Sequence, residues 1–151
     1  MLELYRPEPE DLWFRKKLLA DPGTMSYNFR YGGTIDFPES RWKSWYAVWV
    51  ECTDGSRYYR YLKDGAFVGE AAYHIEEGRC LADVIVLSEY RGRSYGREGL
   101  WLLLEAAREN GIEEIFDEID IDNEAGIALF ESAGFEKISS IGDTVILKKV
   151  L

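Results

Sequence analysis

Residues 83–97 read DVIVLSEYRGRSYGR and organise the rest of the chain. The first half is an apolar run rich in β-branched residues, which predicts a buried strand. The second half is a loop of small and basic residues that leads into apolar residues at Leu100, Leu103, Leu104 and Ala107. This i, i+3, i+4, i+7 spacing predicts a helix that begins at the loop.

A strand, a small-residue loop and a helix start together form a site suited to anions. The first turn of a helix has four backbone N–H groups without intrahelical partners, and the helix dipole adds partial positive charge. The small residues let a phosphate approach the backbone, and Arg91, Arg93 and Arg97 add positive charge. The stretch therefore predicts a phosphate-binding loop.

The composition restricts the function classes. With 151 residues the chain fits one domain, 1–151, and its net charge of −10 argues against general nucleic-acid or membrane-surface binding, because phosphate groups repel an acidic chain. The same charge suits a cationic substrate. No apolar run approaches the roughly 20 residues of a membrane span, and the start of the chain lacks the apolar region of a signal peptide. Cys52 and Cys80 suit reduced thiols, so we expect a cytoplasmic protein without a metal site.

The predicted elements follow the order β-α-α-β-β-β-α-β-α-β-β. The strands are predicted over 2–5, 58–63, 66–76, 79–87, 114–121, 135–140 and 144–150, and the helices over 10–20, 42–50 and 124–133. A further helix runs from the loop through residues 100–107 and stops at Asn110-Gly111. The strands of the β-α-β crossover should be parallel and adjacent. We therefore predict the α/β (α+β) class, with a mixed, mostly antiparallel central sheet of about seven strands and helices on both faces.

Two aromatic segments each allow two interpretations. Residues 24–33, TMSYNFRYGG, show no clean period and form either an irregular connection pinned by its aromatics or a loop that faces substrate with Tyr27 and Asn28. The helix over 42–50 carries three tryptophans on one face. These pack against the sheet or also line an apolar substrate pocket.

Residues 91–96, Arg-Gly-Arg-Ser-Tyr-Gly, resemble the R/Q-x-x-G-x-G/A signature of the GCN5-related N-acetyltransferase (GNAT) superfamily. The resemblance continues in the strand before the loop. It also continues in residues 123–135, NEAGIALFESAGF, which are similar to the family's N-x-x-A-x-x-L-Y/F-x-x-x-G-F element. Two separate elements on the expected structures make the match specific. The resemblance implies the acyl-CoA N-acyltransferase fold and transfer of an acetyl group from acetyl-CoA to a primary amine, by direct attack in a ternary complex.

The resemblance also implies where acetyl-CoA binds. Its pyrophosphate would meet backbone N–H groups of the loop, and its pantetheine arm would pair with the strand before the loop, where an N–H would stabilise the tetrahedral oxyanion. The residues implied to contact it are Val84, Ile85, Val86, Arg91, Gly92, Arg93, Ser94, Tyr95, Gly96, Arg97, Asn123 and Phe130.

Two positions depart from the family pattern. Ser94 replaces the first glycine of the signature, where a positive φ would cost about 1 kcal/mol. Phe130 stands where many relatives have a tyrosine that protonates the departing thiolate. Water or another residue then supplies that proton, or the chain is an inactive relative.

A base must remove a proton from the amine, whose pKa of about 10 keeps it protonated at neutral pH. Asp83 is the candidate, because burial in an apolar strand would raise its pKa. The alternative is an aspartate in a structural hydrogen bond. Glu70 and His74 lie on one face of the preceding predicted strand and are either base, substrate anchors or structural residues.

Two other functions remain open. Ser94 and Phe130 support a non-catalytic acyl-CoA-binding module, a sensor or scaffold. A nucleotide-binding domain is disfavoured because nothing near the loop would hold a ribose or Mg²⁺. The acceptor amine and the oligomeric state, including a homodimer, are open as well.

Overall fold

The computed structural model describes residues 1–151. The helices are α1 (Trp13–Ala20), α2 (Trp42–Trp49), α3 (Tyr95–Glu109) and α4 (Glu124–Ser132). The strands are β1 (Glu3–Tyr5), β2 (Arg57–Asp64), β3 (Ala66–Glu76), β4 (Arg79–Val86), β5 (Glu114–Asp120), β6 (Glu136–Ile141) and β7 (Thr144–Val150). They form one sheet in the order β1-β2-β3-β4-β5-β7-β6, in which only the β4–β5 pair is parallel. The predicted fold class and element order are confirmed.

The structure adds short 3₁₀ helices to the predicted elements. The helix predicted over 10–20 begins as a 3₁₀ turn, Pro9–Leu12, before α1. A longer 3₁₀ helix, Thr24–Tyr31, occupies the segment without a clean period, and we call it the aromatic segment. Asp21 precedes it, and Asp21 Oδ2 accepts a hydrogen bond from the Thr24 backbone N–H at 3.1 Å. Gly32 ends it with φ 103°.

The sheet separates two apolar cores. The α3 core lies under α3 and α4 and includes Leu100, Leu103 and Phe130, whereas the α1 core lies under α1 and α2 and includes Phe14 and Tyr46. Alternating residues along each strand supply opposite cores. The three tryptophans of α2 pack against the α1 core, as the packing interpretation predicts. None of the helices has the length and apolar character that a membrane crossing requires.

The parallel strands β4 and β5 diverge along their length. Leu81 and Phe116 form their one register pair. On its other side β4 pairs with β3 from Arg79 to Val86, and β5 pairs with β7 from Glu114 to Asp120. Beyond Leu81, the edge of β4 that faces β5 therefore has no strand partner, and a cleft opens there.

Gly69 allows β3 to approach β4 beside this cleft. It lies opposite Val86, and a Cβ built on it would overlap the carbonyl oxygen of Ile85 and lie 3.0 Å from the Val86 Cα. Both obstacles are backbone atoms, so no rotamer change relieves the overlap.

We expect Gly69→Ala to lower the free energy of unfolding by about 2 kcal/mol, because the methyl group must push the two strands apart. Gly55→Ala is the control. Gly55 has φ 80° and open space around its Cβ position, so only backbone strain of about 1 kcal/mol is added. Urea unfolding followed by tryptophan fluorescence measures both. Equal losses would contradict the close approach.

Candidate active site

The divergence of β4 and β5 opens a cavity of about 1020 Å³. Its walls are the aromatic segment, the ends of β4 and β5, the loop that enters α3, and α4. This volume is at the upper end for small-molecule sites. The cavity contains every residue that the resemblance assigns to acetyl-CoA except Arg93, which lies on the loop at its edge.

The loop at one end of the cavity presents free backbone donors. The N–H groups of residues 92–97 make no backbone hydrogen bond. Gly92 has φ 80°, and Ser94, at the N-cap of α3, has φ 65° and ψ 12°. Ser94 therefore adopts the left-handed conformation that the family's glycine would adopt freely. Six consecutive donors at a helix N-terminus suit a pyrophosphate.

The side chains of this loop have different partners. The Arg91 guanidinium donates to the carbonyl oxygens of Gly23 (3.0 Å) and Thr24 (2.9 Å) and so holds the aromatic segment. The Tyr95 hydroxyl donates to Asp64 at 2.6 Å. The remaining arginines of the loop, at 93 and 97, are exposed and are the ones free to meet an anion.

The middle of the cavity runs along β4 and α4. Val84 and Val86 pack against the α3 core and Ile85 is buried in the α1 core, and all three residues line the cavity at the divergence. Asn123 lines the cavity and caps α4, where its Oδ1 accepts from the Gly126 N–H at 3.0 Å. Phe130 is 3% exposed.

Asp83 lies at the floor of the cavity, with protein on most sides and solvent on the open side. Burial raises its pKa to about 6, and repulsion from Glu70 adds to the rise, whereas Arg15 and the Val84 N–H oppose it. A bound ligand would exclude the remaining water and strengthen the effect of burial. The side chain therefore combines access with a pKa suited to proton transfer near neutral pH.

Glu70 is not in the cavity. It is 5% exposed and pairs with the Arg15 guanidinium, Nη1 to Oε2, at 2.7 Å, while the Tyr59 hydroxyl also donates to it. Arg15 lies 4.4 Å from the ring centroid of Trp45. Burial acts to lower the pKa of Arg15, but the charges of Glu70 and Tyr59 and the hydrogen bonds to both residues together raise that pKa. The buried pair thus acts on Asp83 through its charges rather than on substrate.

His74 also lies outside the cavity. Its Nε2 is 3.3 Å from Glu76 Oε2, and its ring packs edge-on against Trp49 with 5.6 Å between centroids. Glu70 and His74 share a strand face as the spacing indicates, but the structure does not bring either residue to the cleft.

The aromatic segment closes the cavity opposite the sheet. Tyr27 and Asn28 both line it. Burial raises the pKa of the Tyr27 phenol, and the nearby Asp83 charge raises it further. Asn28 Nδ2 donates to the carbonyl oxygen of Gly33 at 2.8 Å and so fixes the end of the segment.

Arg30 ties this segment to the far side of the cleft. Its guanidinium pairs with three carboxylates, Asp120 at 3.2 Å, Asp122 at 2.5 Å and Asp143 at 2.7 Å. Asp120 is the last residue of β5, Asp122 follows the strand, and Asp143 lies in the β6–β7 turn. No sequence motif indicated this contact, because the partners are far apart in the chain.

Two further acids in the cavity were missed by the sequence analysis. Asp117 and Glu118 are neighbours on β5 and both line the cavity. The register pair of β4 and β5 places Glu118 on the sheet face that carries Asp83. Asp117 lies on the opposite face. The sequence feature that could have identified them is an acid inside a strand, here in EIFDEID, which is also the feature that identified Asp83. No group of three or more His, Cys, Asp or Glu side chains is placed to hold a metal ion.

The model of the acetyltransferase (GNAT) family matches residues 5–135. The chain belongs to this family. The resemblance identified from residues 91–96 and 123–135 is therefore confirmed.

Solved structures of GNAT proteins share the fold. The GNAT domain of S. lividans PAT is 17% identical, with a TM-score of 0.79 over 99% of this chain and 89% of that one. A phosphinothricin acetyltransferase from Sinorhizobium meliloti in complex with AcCoA is 17% identical, with a TM-score of 0.79 over 99% and 88%. Spermidine N-acetyltransferase from Vibrio cholerae, in complex with CoA and spermine, is 18% identical, with a TM-score of 0.78 over 99% and 95%.

A curated relative matches part of the chain. It is the uncharacterized N-acetyltransferase YobR of Bacillus subtilis, which is 34% identical over 59 residues. The match covers 39% of this chain and 24% of that protein.

We expect Arg30→Ala to increase amide hydrogen exchange in residues 24–31 several-fold, because one end of the aromatic segment loses its three ion pairs. Arg41→Ala is the control, since Arg41 is an exposed arginine without an ion pair. Hydrogen-exchange mass spectrometry measures both. Added salt should reduce the difference between Arg30→Ala and the unchanged protein, because it weakens the same ion pairs in the unchanged protein. Equal exchange in the two variants would contradict the anchoring role.

Proposed function

We propose that this chain is an acetyl-CoA-dependent N-acetyltransferase that transfers the acetyl group to a primary amine by direct attack in a ternary complex. The observation that carries the proposal is the cleft between β4 and β5, with six free backbone donors at one end and Asp83 at its floor. Family membership and the solved relatives with acetyl-CoA or CoA support the choice of donor.

The donor would lie along the cavity from α3 to the divergence. Residues 92–97 would hold the pyrophosphate with their N–H groups and with the exposed side chains of Arg93 and Arg97. The pantetheine arm would pair with the free edge of β4 at 84–86, as an added strand does. Asn123 and Phe130 would flank the thiol end from α4.

The acceptor amine would approach from the face of Asp83. At neutral pH the Asp83 carboxylate can take a proton from the ammonium group, because its pKa of about 6 leaves it largely ionised. The neutral nitrogen then attacks the thioester carbon, and an N–H group of residues 84–86 stabilises the oxyanion. Glu118 lies on the same face and is the competing base.

The acceptor half of the cavity suits a cation. Its wall combines the aromatic side chains of Tyr27, Phe29 and Tyr31 with the acids of β4 and β5. Aromatic faces and carboxylates both attract ammonium groups. The fold neighbour from Vibrio cholerae was solved with spermine, which supports an amine of this charge class without identifying it.

A non-catalytic acyl-CoA-binding module is the second candidate. Phe130 favours it, because a phenyl ring cannot protonate a thiolate. Release of CoA thiol from acetyl-CoA in the presence of a panel of amines distinguishes the two functions. Binding of acetyl-CoA without turnover on any amine would favour the module.

We expect the protein to bind desulfo-CoA, with the affinity reduced about tenfold in the double variant Arg93→Ala/Arg97→Ala, since charge-assisted contacts to phosphate are lost. Arg108→Ala is the control, because Arg108 is an exposed arginine at the opposite end of α3. Isothermal titration calorimetry measures all three. The proposal would be refuted if the unchanged protein gave no binding heat and desulfo-CoA did not compete with acetyl-CoA.

We expect kcat/KM to rise with pH through an apparent pKa of about 6, because Asp83 must lose its proton to act as base. Asp83→Asn should remove this limb and reduce kcat/KM about 10²-fold, while the affinity for desulfo-CoA stays the same. Glu118→Gln should keep the limb. The reverse pattern, with the limb lost only in Glu118→Gln, would assign the base to Glu118.

A further inference from the structure

Transfer of the acetyl group leaves a thiolate that must be protonated. Its pKa is that of an ordinary thiol, about 8.5, so a nearby acid would speed its departure. The phenyl ring of Phe130 offers no proton at the position where the family resemblance implies a tyrosine. The cavity must therefore supply the proton from another side chain or from water.

The structure places an acid on the same side of the sheet as Phe130. Ile115 and Ile119 both belong to the α3 core together with Phe130. Since side chains alternate along a strand, Asp117 faces that core too. Its partner on β7 is Leu147, another member of the core. Asp117 nevertheless lines the cavity, so its carboxyl group lies in a largely apolar wall at the divergence of β4 and β5.

Four of the eight hydroxyl groups of the cavity wall donate elsewhere, whereas those of Tyr27, Tyr31, Tyr90 and Ser94 do not. The hydroxyl of Thr24 donates to Asp21, that of Ser26 to the Gly23 carbonyl, that of Ser132 to the Leu129 carbonyl, and that of Tyr95 to Asp64. Tyr27 is the rival donor, because its phenol lies near Asp83 and Asp117. It belongs to the aromatic segment, on the acceptor side of the cavity.

We infer that Asp117 is the general acid that protonates the CoA thiolate in place of the tyrosine hydroxyl that Phe130 lacks. This inference rests on the proposed function, because it requires acetyl-CoA in the cavity. It assigns the two halves of the proton transfer to acids on opposite faces of the sheet, Asp83 toward the amine and Asp117 toward the sulfur.

The electrostatics of the cleft agree with this division. Burial raises the pKa of Asp117 well above its usual range, and the negative charge of Asp83 raises it further. Two nearby carboxylates do not both ionise readily, so Asp117 keeps its proton while Asp83 has lost its own. The other groups that act on this pair are Glu118, Glu70, Arg15 and Tyr27.

The protons balance over one turnover. Asp83 takes one proton from the ammonium group, and the neutral nitrogen forms its bond to the thioester carbon. As the C–S bond breaks, the sulfur takes the proton of Asp117. The Asp117 carboxylate then regains a proton from the nitrogen of the new amide, and Asp83 releases its proton to solvent. The products are the acetylated amine, CoA thiol and one proton.

The thiol of bound CoA tests the contact without any turnover. Above its own pKa, Asp117 is an anion beside the sulfur, so it should hold the pKa of the bound thiol higher than in Asp117→Asn. We expect a difference of about one unit or more. Titration of the thiolate ultraviolet absorbance in the two CoA complexes measures it. Asp117→Leu repeats the test with a side chain that suits the apolar wall, in case the amide variant is unstable.

Kinetics test the role of the acid. Asp117→Asn should reduce kcat about 10²-fold with acetyl-CoA. Adding Phe130→Tyr to the Asp117→Asn variant should raise its kcat at least tenfold, because the phenol supplies the missing proton. The same change should raise the kcat of the unchanged protein by less. Asp36→Asn, at an exposed acid outside the cleft, should match the unchanged protein.

The outcomes separate this inference from the proposed function. Equal thiol pKa values with and without Asp117 would overturn the inference while leaving acetyl transfer intact. A large loss of kcat in Tyr27→Phe with no loss in Asp117→Asn would also overturn it and would assign the acid to the Tyr27 phenol. Failure to bind CoA would overturn both. Binding without acetylation of any amine would overturn the proposed function, and the thiol titration would still decide whether Asp117 lies at the sulfur.

Discussion

The site depends on the divergence of two parallel strands. Leu81 and Phe116 form the one register pair between β4 and β5, and beyond this pair the two strands line the cavity from opposite sides. The opening frees the edge of β4 for a ligand, and it brings acids from both strands to one cavity. Pairing of each strand with its other neighbour keeps the opening rigid.

The aromatic segment completes the cavity because polar and charged groups hold both its ends. Asp21, Ser88 and Arg91 fix its start next to the loop that enters α3, and Arg30 fixes its end to the far wall. The two ends of the cleft therefore share one structural support. A change at the loop that displaced Arg91 would also reach the aromatic segment.

Local patterns predicted the fold and the position of the loop that enters α3, whereas long-range contacts escaped them. Strand and helix periodicity located the elements, and glycine and serine spacing located the loop. The role of Arg91 as an anchor, the three partners of Arg30 and the burial of Glu70 against Arg15 depend on residues far apart in the chain. Asp117 carried a local signal, but its importance emerges only when β5 lies beside β4.

The pleat of β5 gives its two neighbouring acids different surroundings. Asp117 belongs to the apolar side and Glu118 to the side of Asp83, although one peptide bond joins them. A shift of β5 by one residue would exchange these environments. The β6–β7 turn opposes such a shift, because its Asp143 is held by Arg30. An insertion in that turn would therefore change the chemistry of the cleft without altering a single residue that lines it.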